Sequence, residues 1–146
     1  MTYRVLHAGD AFWRPSNQMK VENTDLAKQL EAKTLGARLW RLRPGEASTR
    51  HRHFDQHELY VLVDGEGRIR VEDELITLDP LSALLVEPEH PRQLFNDTDR
   101  DALWPVVGAP QEPANTLEMT EEELAARYPD GPKSLPPELG GGQFAG

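Results

Sequence analysis

The feature of this sequence that most constrains its fold is a spaced set of glycine, histidine and glutamate residues. The set reads Gly45-x5-His51-x-His53-x4-Glu58-x6-Gly65. Because side chains on a β-strand alternate between its two faces, His51 and His53 are predicted to point the same way. Glu58 begins the segment 58–63, whose β-branched and aromatic residues are typical of an adjacent strand. The spacing therefore predicts two imidazoles and one carboxylate facing one interior.

This spacing matches, position for position, the first conserved motif of the cupin superfamily. Over about residues 37–108 the chain resembles a small single-domain cupin. The resemblance implies an all-β fold, a cupin jelly-roll or double-stranded β-helix barrel, with a pocket inside it. In many members the two histidines and the glutamate of this motif bind a divalent metal ion. The resemblance thus makes His51, His53 and Glu58 the predicted metal ligands.

The second motif of that family, G-x5-P-x-G-x2-H-x3-N, is matched here only at Asn96. Counted back from Asn96, the position of the family's third histidine is occupied by Arg92. A guanidinium is a poor metal ligand and a good clamp for a carboxylate or phosphate, because it stays charged and donates in a planar fork. It also repels a cation, so metal binding is expected to be weakened or coupled to an anion. Arg92 and Tyr60 are the candidate substrate-binding residues.

Two arrangements of these residues stay open. In the first, His51, His53 and Glu58 hold a divalent ion with open coordination positions, a pattern associated with non-haem iron oxygen chemistry. Iron, manganese, zinc and nickel are not distinguished by this pattern. In the second, Arg92 pairs with Glu58 and no metal is bound.

Two further histidines are additional candidate ligands. His57 precedes Glu58 on the predicted strand, and since adjacent strand residues face opposite ways it is expected to point outward. His90 lies two residues before Arg92, in a turn flanked by prolines, and is expected at the surface.

The leading functional hypothesis is a metal-capable small cupin that acts on a small polar, anionic molecule in the barrel pocket. Its reaction would be oxygenase- or isomerase-like, and one barrel hosts too many chemistries for the fold to choose. The alternative is a non-catalytic, metal-free cupin that binds or senses an anion. A third hypothesis is a barrel used only as an oligomerisation scaffold. The resemblance also implies a homodimer, because cupin edges commonly form dimer contacts.

Composition narrows the partners and the location. The chain has 146 residues, a formal net charge of −9 and no cysteine. The length is usual for one domain, and the acidic excess argues against nucleic acid or an anionic membrane as partners, since both require a basic patch. Without cysteine, disulfides and sulfur-ligated metals are excluded. No early apolar stretch resembles a signal peptide or a membrane span, so a cytoplasmic location is expected.

Glycine and proline divide the chain into three regions. These are an N-terminal arm (1–36), the cupin barrel (37–108) and a C-terminal extension (109–146) with a short helix near 120–127. Within the arm, the apolar spacing of residues 23–32 does not decide between helix and extended chain. Thr120 and Glu123 form a capping box that predicts the start of the helix. The remainder of the extension is expected to be either a strap against the barrel or a flexible tail.

Three expectations concern individual barrel residues. Arg68 and Arg70 alternate with apolar residues in a predicted meander and are expected to be solvated. Pro105 lies in the last predicted strand, 102–107, and cannot donate a ladder hydrogen bond, which suggests a sheet edge or a bulge. Trp104 is expected in the core rather than at an interface.

Overall fold

The computed structural model describes residues 2–146 and consists mainly of antiparallel β-strands. The strands are β1 (Trp13–Pro15), β2 (Glu22–Asp25), β3 (Gly36–Leu42), β4 (His57–Val61), β5 (Gly67–Val71), β6 (Glu74–Leu78), β7 (Ala83–Val86), β8 (Arg92–Phe95) and β9 (Ala102–Ala109). Two short α-helices accompany them, α1 (Leu26–Gln29) and α2 (Glu121–Arg127). No helix within residues 2–146 has the length and apolar character needed to cross a membrane.

The strands form two sheets that face each other. One sheet has six strands in the order β1-β2-β3-β9-β4-β7, and the other has three in the order β6-β5-β8. The largest fully buried apolar side chains lie between them: Trp104, Phe95, Leu42, Leu62 and Ile69. The Trp104 ring meets the Tyr60 ring edge-on at a centroid distance of 6.4 Å, so the expected core position of Trp104 is confirmed. The predicted all-β, double-sheet fold with a short C-terminal helix is likewise confirmed.

Strand β4 shows how the alternating pattern positions the site. Glu58 and Tyr60 are buried on the inner face of the six-stranded sheet, while Leu59 points outward. On the outer face Leu59 pairs with Leu85 of β7 and Val107 of β9, and all three side chains are exposed. This apolar row is a surface that a second copy of the chain could cover. The homodimer itself stays a prediction.

Pro105 does not lie at a sheet edge, because β9 is an interior strand between β3 and β4. The edge alternative is therefore wrong. Pairing between β4 and β9 is continuous up to Tyr60↔Val106 and resumes at Asp64↔Leu103, one residue out of the earlier register. In the interruption residues 61–63 face residues 104 and 105, so the ladder has a bulge whose extra residue lies on the β4 side, opposite Pro105.

The predicted arm contributes to the six-stranded sheet. β1 pairs with β2, and β2 pairs with β3 at its edge. The undecided segment 23–32 is extended up to Asp25 and helical from Leu26 to Gln29. The change occurs where the Asp25 carboxylate accepts a hydrogen bond from Lys28 N at 2.9 Å, a side-chain cap that favours a helix start. The boundaries of the three predicted regions stay predictions.

The C-terminal extension is a strap rather than a free tail. Arg70 Nη2 lies 2.6 Å from Glu138 Oε2, and Gln93 Nε2 donates to Ser134 O at 2.8 Å. Leu135, Leu139 and Phe144 pack against the core. Arg70 is partly exposed, with 21% of its side chain accessible, and its guanidinium also anchors the strap to β5.

Two other expectations are resolved nearby. Arg68 forms an ion pair at the surface, since Nε and Nη2 lie 2.8 and 2.9 Å from the two Asp97 carboxylate oxygens. In α2, Thr120 Oγ1 accepts a hydrogen bond from Glu123 N at 3.1 Å. This contact confirms the predicted N-terminal cap of the helix.

Candidate metal centre

Three side chains with metal-binding atoms converge on the inner face of the six-stranded sheet. The Nε2 atoms of His51 and His53 are 3.2 Å apart. Glu58 Oε1 lies 3.4 Å from His51 Nε2 and 3.1 Å from His53 Nε2. The structure thus brings together the three predicted ligands in a group that could hold a metal ion.

The two histidines are not held by a regular strand, although the spacing argument placed them on one. His51 exchanges two backbone hydrogen bonds with Arg92, at 3.0 and 2.8 Å, and forms only an isolated bridge to β8. His53 N donates to Pro88 O at 2.8 Å. The two rings still converge, edge to face at a centroid distance of 4.9 Å. They do so because the backbone at His51 is fixed to Arg92 and the backbone at His53 is fixed to Pro88.

The outer nitrogens of both imidazoles face hydrogen-bond acceptors. His51 Nδ1 lies 2.9 Å from the Thr49 carbonyl oxygen, and His53 Nδ1 lies 2.9 Å from Glu112 Oε2. Since a carbonyl and a carboxylate only accept hydrogen bonds, each Nδ1 carries a proton. In the neutral imidazoles, each Nε2 therefore presents a lone pair to Glu58 Oε1.

The pKa shifts of His51 and Glu58 concern the protonation states of the two side chains. Burial lowers the pKa of His51 below its ordinary value, and the nearby Glu58 carboxylate opposes this shift only in part. Burial raises the pKa of Glu58, but hydrogen bonds donated by His51 and His53 in their protonated forms, and the charge of those forms, outweigh burial and lower it well below its usual range. When both Nε2 atoms are unprotonated, Tyr60 and Arg92 are the donors that stabilise this carboxylate. At neutral pH His51 is therefore neutral and Glu58 is ionised, which are the protonation states of metal ligands.

Arg92 lies beside the same carboxylate. Its side chain is 0% exposed, and Nη1 donates to Glu58 Oε1 at 3.1 Å. Nη2 donates to the Glu87 carbonyl oxygen at 2.6 Å, whereas the buried Nε has no hydrogen-bond partner within residues 2–146. The metal-free arrangement depends on a contact between Arg92 and Glu58, and this contact is present. Arg92 Nε is left as an unused hydrogen-bond donor.

Tyr60, the other candidate substrate-binding residue, is also directed at Glu58. Its hydroxyl donates to Glu58 Oε1 at 2.7 Å. Burial, followed by the neighbouring Glu58 charge, raises the pKa of Tyr60 well above its ordinary value. The phenol therefore stays protonated and acts as a hydrogen-bond donor to the carboxylate.

The two additional histidine candidates lie outside this group. His57 is exposed on the outer face of β4, as expected from strand alternation. His90 is half-exposed in the turn before β8, where Nδ1 lies 3.2 Å from Glu72 Oε1 and Nε2 lies 3.3 Å from Glu89 Oε1. Neither histidine belongs to the group formed by the three predicted ligands.

Sequence reasoning missed Glu112, which binds the outer nitrogen of His53. The two residues are 59 positions apart in the chain, and Glu112 lies in the proline-rich extension. Arg127, at the end of α2, donates to Glu112 Oε2 at 3.0 Å. No spacing or strand pattern relates these two residues to the motif, so the sequence carries no local signal for them.

The donor set fits a divalent metal ion. Donor atoms about 2.1 Å from one ion, at mutual angles of about 90° to 109°, are about 3.0 to 3.4 Å apart. The separations here are 3.1, 3.2 and 3.4 Å. Two imidazoles and one carboxylate suit iron, manganese, zinc or nickel. Arg92 Nη1 also contacts Glu58 Oε1, so a bound cation would lie close to the positive charge of Arg92. The site would therefore also need a compensating negative charge.

Access to the group is from the side of His51. The His51 side chain is 22% exposed, whereas those of Glu58 and His53 are 11% and 5% exposed. A separate groove of about 510 Å³ lies between the strap and the three-stranded sheet and is lined by Arg50, Gln93 and Ser134 among others.

Comparison with known families identifies the chain. Residues 38–108 match the family described as "Cupin domain". Residues 38–108 therefore form a cupin domain, as the motif spacing predicts. The match includes the three candidate ligands and Arg92, whereas Glu112 and Arg127 lie beyond it. No curated protein matches the chain.

Solved structures show the same fold at low sequence identity. One is a sugar phosphate isomerase of the cupin superfamily from Silicibacter pomeroyi, 21% identical over 74% of this chain and 76% of that chain, with a TM-score of 0.66. Another is KdgF from Halomonas sp., 17% identical over 76% of this chain and 96% of that chain, with a TM-score of 0.66. A third, described as a predicted oxalate decarboxylase from Thermotoga maritima, is 18% identical over 74% of this chain and 100% of that chain, with a TM-score of 0.65. These similarities establish the fold of the barrel.

Proposed function

We propose that this cupin binds one divalent metal ion through His51, His53 and Glu58 and acts on a small anionic molecule that compensates the charge of Arg92. The observation that carries the proposal is the convergence of three lone-pair atoms within 3.1 to 3.4 Å of one another. Both imidazole protons are committed to outer acceptors, so the neutral rings place no hydrogen-bond donor among these atoms. A metal ion would satisfy all three at once.

The anionic character of the ligand follows from the charge of Arg92. This guanidinium is fully buried, and Glu58 is the carboxylate it contacts. If Glu58 gives its charge to a metal ion, Arg92 is left as a buried cation with an unused Nε donor. A buried charge without a partner is costly, so a ligand carboxylate or phosphate near Arg92 would stabilise the loaded site.

Two of the structural neighbours support an anionic substrate. One is described as a sugar phosphate isomerase and another as a predicted oxalate decarboxylase. Sugar phosphates and oxalate are both small anions. The shared fold and the buried arginine together favour a ligand of that chemical class for this chain as well.

A bound metal ion would supply Lewis-acid polarisation of a substrate oxygen or an oxygen-activating centre. The protein's own residues would orient the substrate, with Arg92 pairing its negative charge and Tyr60 holding Glu58 in place through its hydroxyl. Apart from Tyr60 and Arg92, the titratable side chains described in this group are the three proposed metal ligands. An isomerase reaction would therefore have to use one of the ligand residues as its base, whereas decarboxylase- or oxygenase-like chemistry needs no separate base.

The proposal is tested by measuring metal content. Protein purified without chelator and supplemented with metal is expected to contain about one metal ion per chain by elemental mass spectrometry. His51→Ala is expected to lose it, because two protein donors hold an ion far more weakly than three. His57→Ala is the matched control, since His57 lies on the outer face of β4. Equal metal content in the wild-type protein and His51→Ala would show that the metal, if any, binds elsewhere.

Metal affinity is also expected to depend on pH in a defined direction. The pKa of His51 lies below 6.5, so its imidazole is neutral above that pH and protons compete with the metal below the lowered pKa. Titration with Co²⁺, followed by visible absorption, should show an affinity that rises with pH and becomes constant once the ligand imidazoles are neutral. At lower pH we expect a weakening of about tenfold per pH unit for each proton displaced.

The second candidate is a metal-free cupin that binds an anion. The observation that favours it is the ion pair between Arg92 and Glu58, which already gives the carboxylate a cationic partner. In that case protonated imidazoles would assist the anion, and binding would strengthen as the pH falls. The opposite pH dependence of metal binding and anion binding separates the two candidates.

A further inference from the structure

The Glu112 carboxylate makes an unusual number of contacts for a residue outside the cupin match. Its Oε1 accepts hydrogen bonds from the backbone N–H groups of Phe54, Asp55 and Gln56, with Phe54 and Gln56 at 3.1 and 2.8 Å. These three residues form the reversal between the candidate ligands His53 and Glu58. One carboxylate therefore fixes the backbone that joins two of the three ligands.

The second oxygen of the same carboxylate acts on the His53 ring. Glu112 Oε2 lies 2.9 Å from His53 Nδ1, and the Glu112 side chain is only 9% exposed. An acceptor at Nδ1 keeps the proton on that nitrogen and leaves Nε2 free to bind. The contact also holds the ring in the orientation that directs Nε2 at Glu58.

Glu112 is itself held by the C-terminal extension. Arg127 donates through Nη2 to Glu112 Oε2 at 3.0 Å and through Nη1 to Pro113 O at 2.6 Å. Arg52, between the two histidines, donates through Nε to Ala126 O at 2.6 Å. The end of α2 is thus attached both to Glu112 and to the segment that carries the histidines.

We infer that Glu112 is a positioning residue of the metal centre. It selects the His53 tautomer and fixes the 54–56 reversal. The C-terminal extension therefore completes a site that the family motif assigns to the barrel alone. This inference rests on the proposed metal function. It assigns to Glu112 a role in metal affinity that neither the motif spacing nor the family match contains, since the match ends at residue 108.

A metal-free measurement tests the tautomer directly. Long-range ¹H–¹⁵N correlation spectra of the ¹⁵N-labelled wild-type protein are expected to show His53 with the proton on Nδ1. In Glu112→Gln the side-chain amide can donate as well as accept, so a mixture of tautomers is expected at His53, with His51 unchanged. A His53 ring protonated on Nε2 in the wild-type protein would overturn the inference without any variant.

Co²⁺ binding tests the consequence for the metal centre. Mutation of the residue that binds the outer nitrogen of a ligating histidine typically costs about 10- to 100-fold in metal affinity, so a decrease of that size is expected for Glu112→Gln. Glu118→Gln is the matched control because it makes the same charge change at an exposed position of the same extension. Equal affinity of Glu112→Gln and the wild-type protein would refute the role of Glu112 alone. Failure of the wild-type protein to bind Co²⁺ would instead refute the proposed metal function.

Discussion

Arg92→Met is expected to lower the free energy of unfolding by about 3 to 5 kcal/mol, the cost of removing one partner from a buried ion pair. The Arg92 side chain is 0% exposed and that of Glu58 is 11% exposed, so little water can solvate the remaining carboxylate. The variant also removes the hydrogen bond from Nη2 to Glu87 O. Urea unfolding followed by circular dichroism, in the presence of chelator, measures the effect.

The double variant Arg92→Met with Glu58→Gln distinguishes a charge effect from a packing effect. When neither charge is present, much of the lost stability is expected to return, because no uncompensated ion is buried. Arg100→Met is the matched control, since the Arg100 side chain is 71% exposed and its contact with Asp64 is at the surface. That control is expected to change stability by less than about 1 kcal/mol. A loss in Arg92→Met no larger than in the control would contradict a buried, paired arginine.

Arg92→His is expected to raise Co²⁺ affinity by about 100-fold, which corresponds to about 2.8 kcal/mol. A dication and a guanidinium about 5 Å apart at an effective dielectric constant of about 20 repel each other by about 7 kcal/mol, most of which Glu58 and a bound anion offset. The variant removes this repulsion and restores the third histidine position of the family motif. Isothermal titration calorimetry with Co²⁺ measures the gain.

The same variant should change the role of anions. In the wild-type protein, acetate as a probe anion is expected to strengthen Co²⁺ binding because it compensates Arg92, whereas in Arg92→His this enhancement should disappear. Arg68→His controls for a general loss of positive charge, because Arg68 lies on β5 and pairs with Asp97. Identical Co²⁺ affinities in the wild-type protein and Arg92→His would show that the guanidinium does not oppose the metal.

The sequence predicts the barrel and the convergence of three side chains well, for a physical reason. Alternation along β4 is a local property, and it correctly turns Glu58 inward and His57 outward. The predicted convergence of the two histidines is correct, but strand alternation does not fully explain it. His51 and His53 converge through backbone contacts with Arg92 and Pro88, which are distant in sequence and leave no trace in a two-residue spacing.

The residues that sequence reasoning missed all act through contacts between distant segments. Glu112 lies 59 positions from His53, and Glu138 lies 68 positions from Arg70. Each contact depends on the path that the C-terminal extension takes over the barrel. In the sequence, the glutamates of the extension cannot be told from solvated carboxylates. Pro105 illustrates the same limit. A missing N–H indicates an interrupted ladder, but only the strand order shows that the interruption lies inside the sheet.

The position of β9 between β3 and β4 has a consequence for how the protein is made. β4, which carries Glu58, hydrogen-bonds to β7 and β9 and has no ladder with β3. Pairing of this kind joins segments far apart in the chain, and closing such long loops makes folding slow. The strand that supports Glu58 is complete only after residues 102–109 have been synthesised, and the His53 ring is secured only after Glu112 follows. The contacts that fix the three-donor group are therefore complete only once residue 112, which follows Glu58 by 54 positions, has been added to the chain.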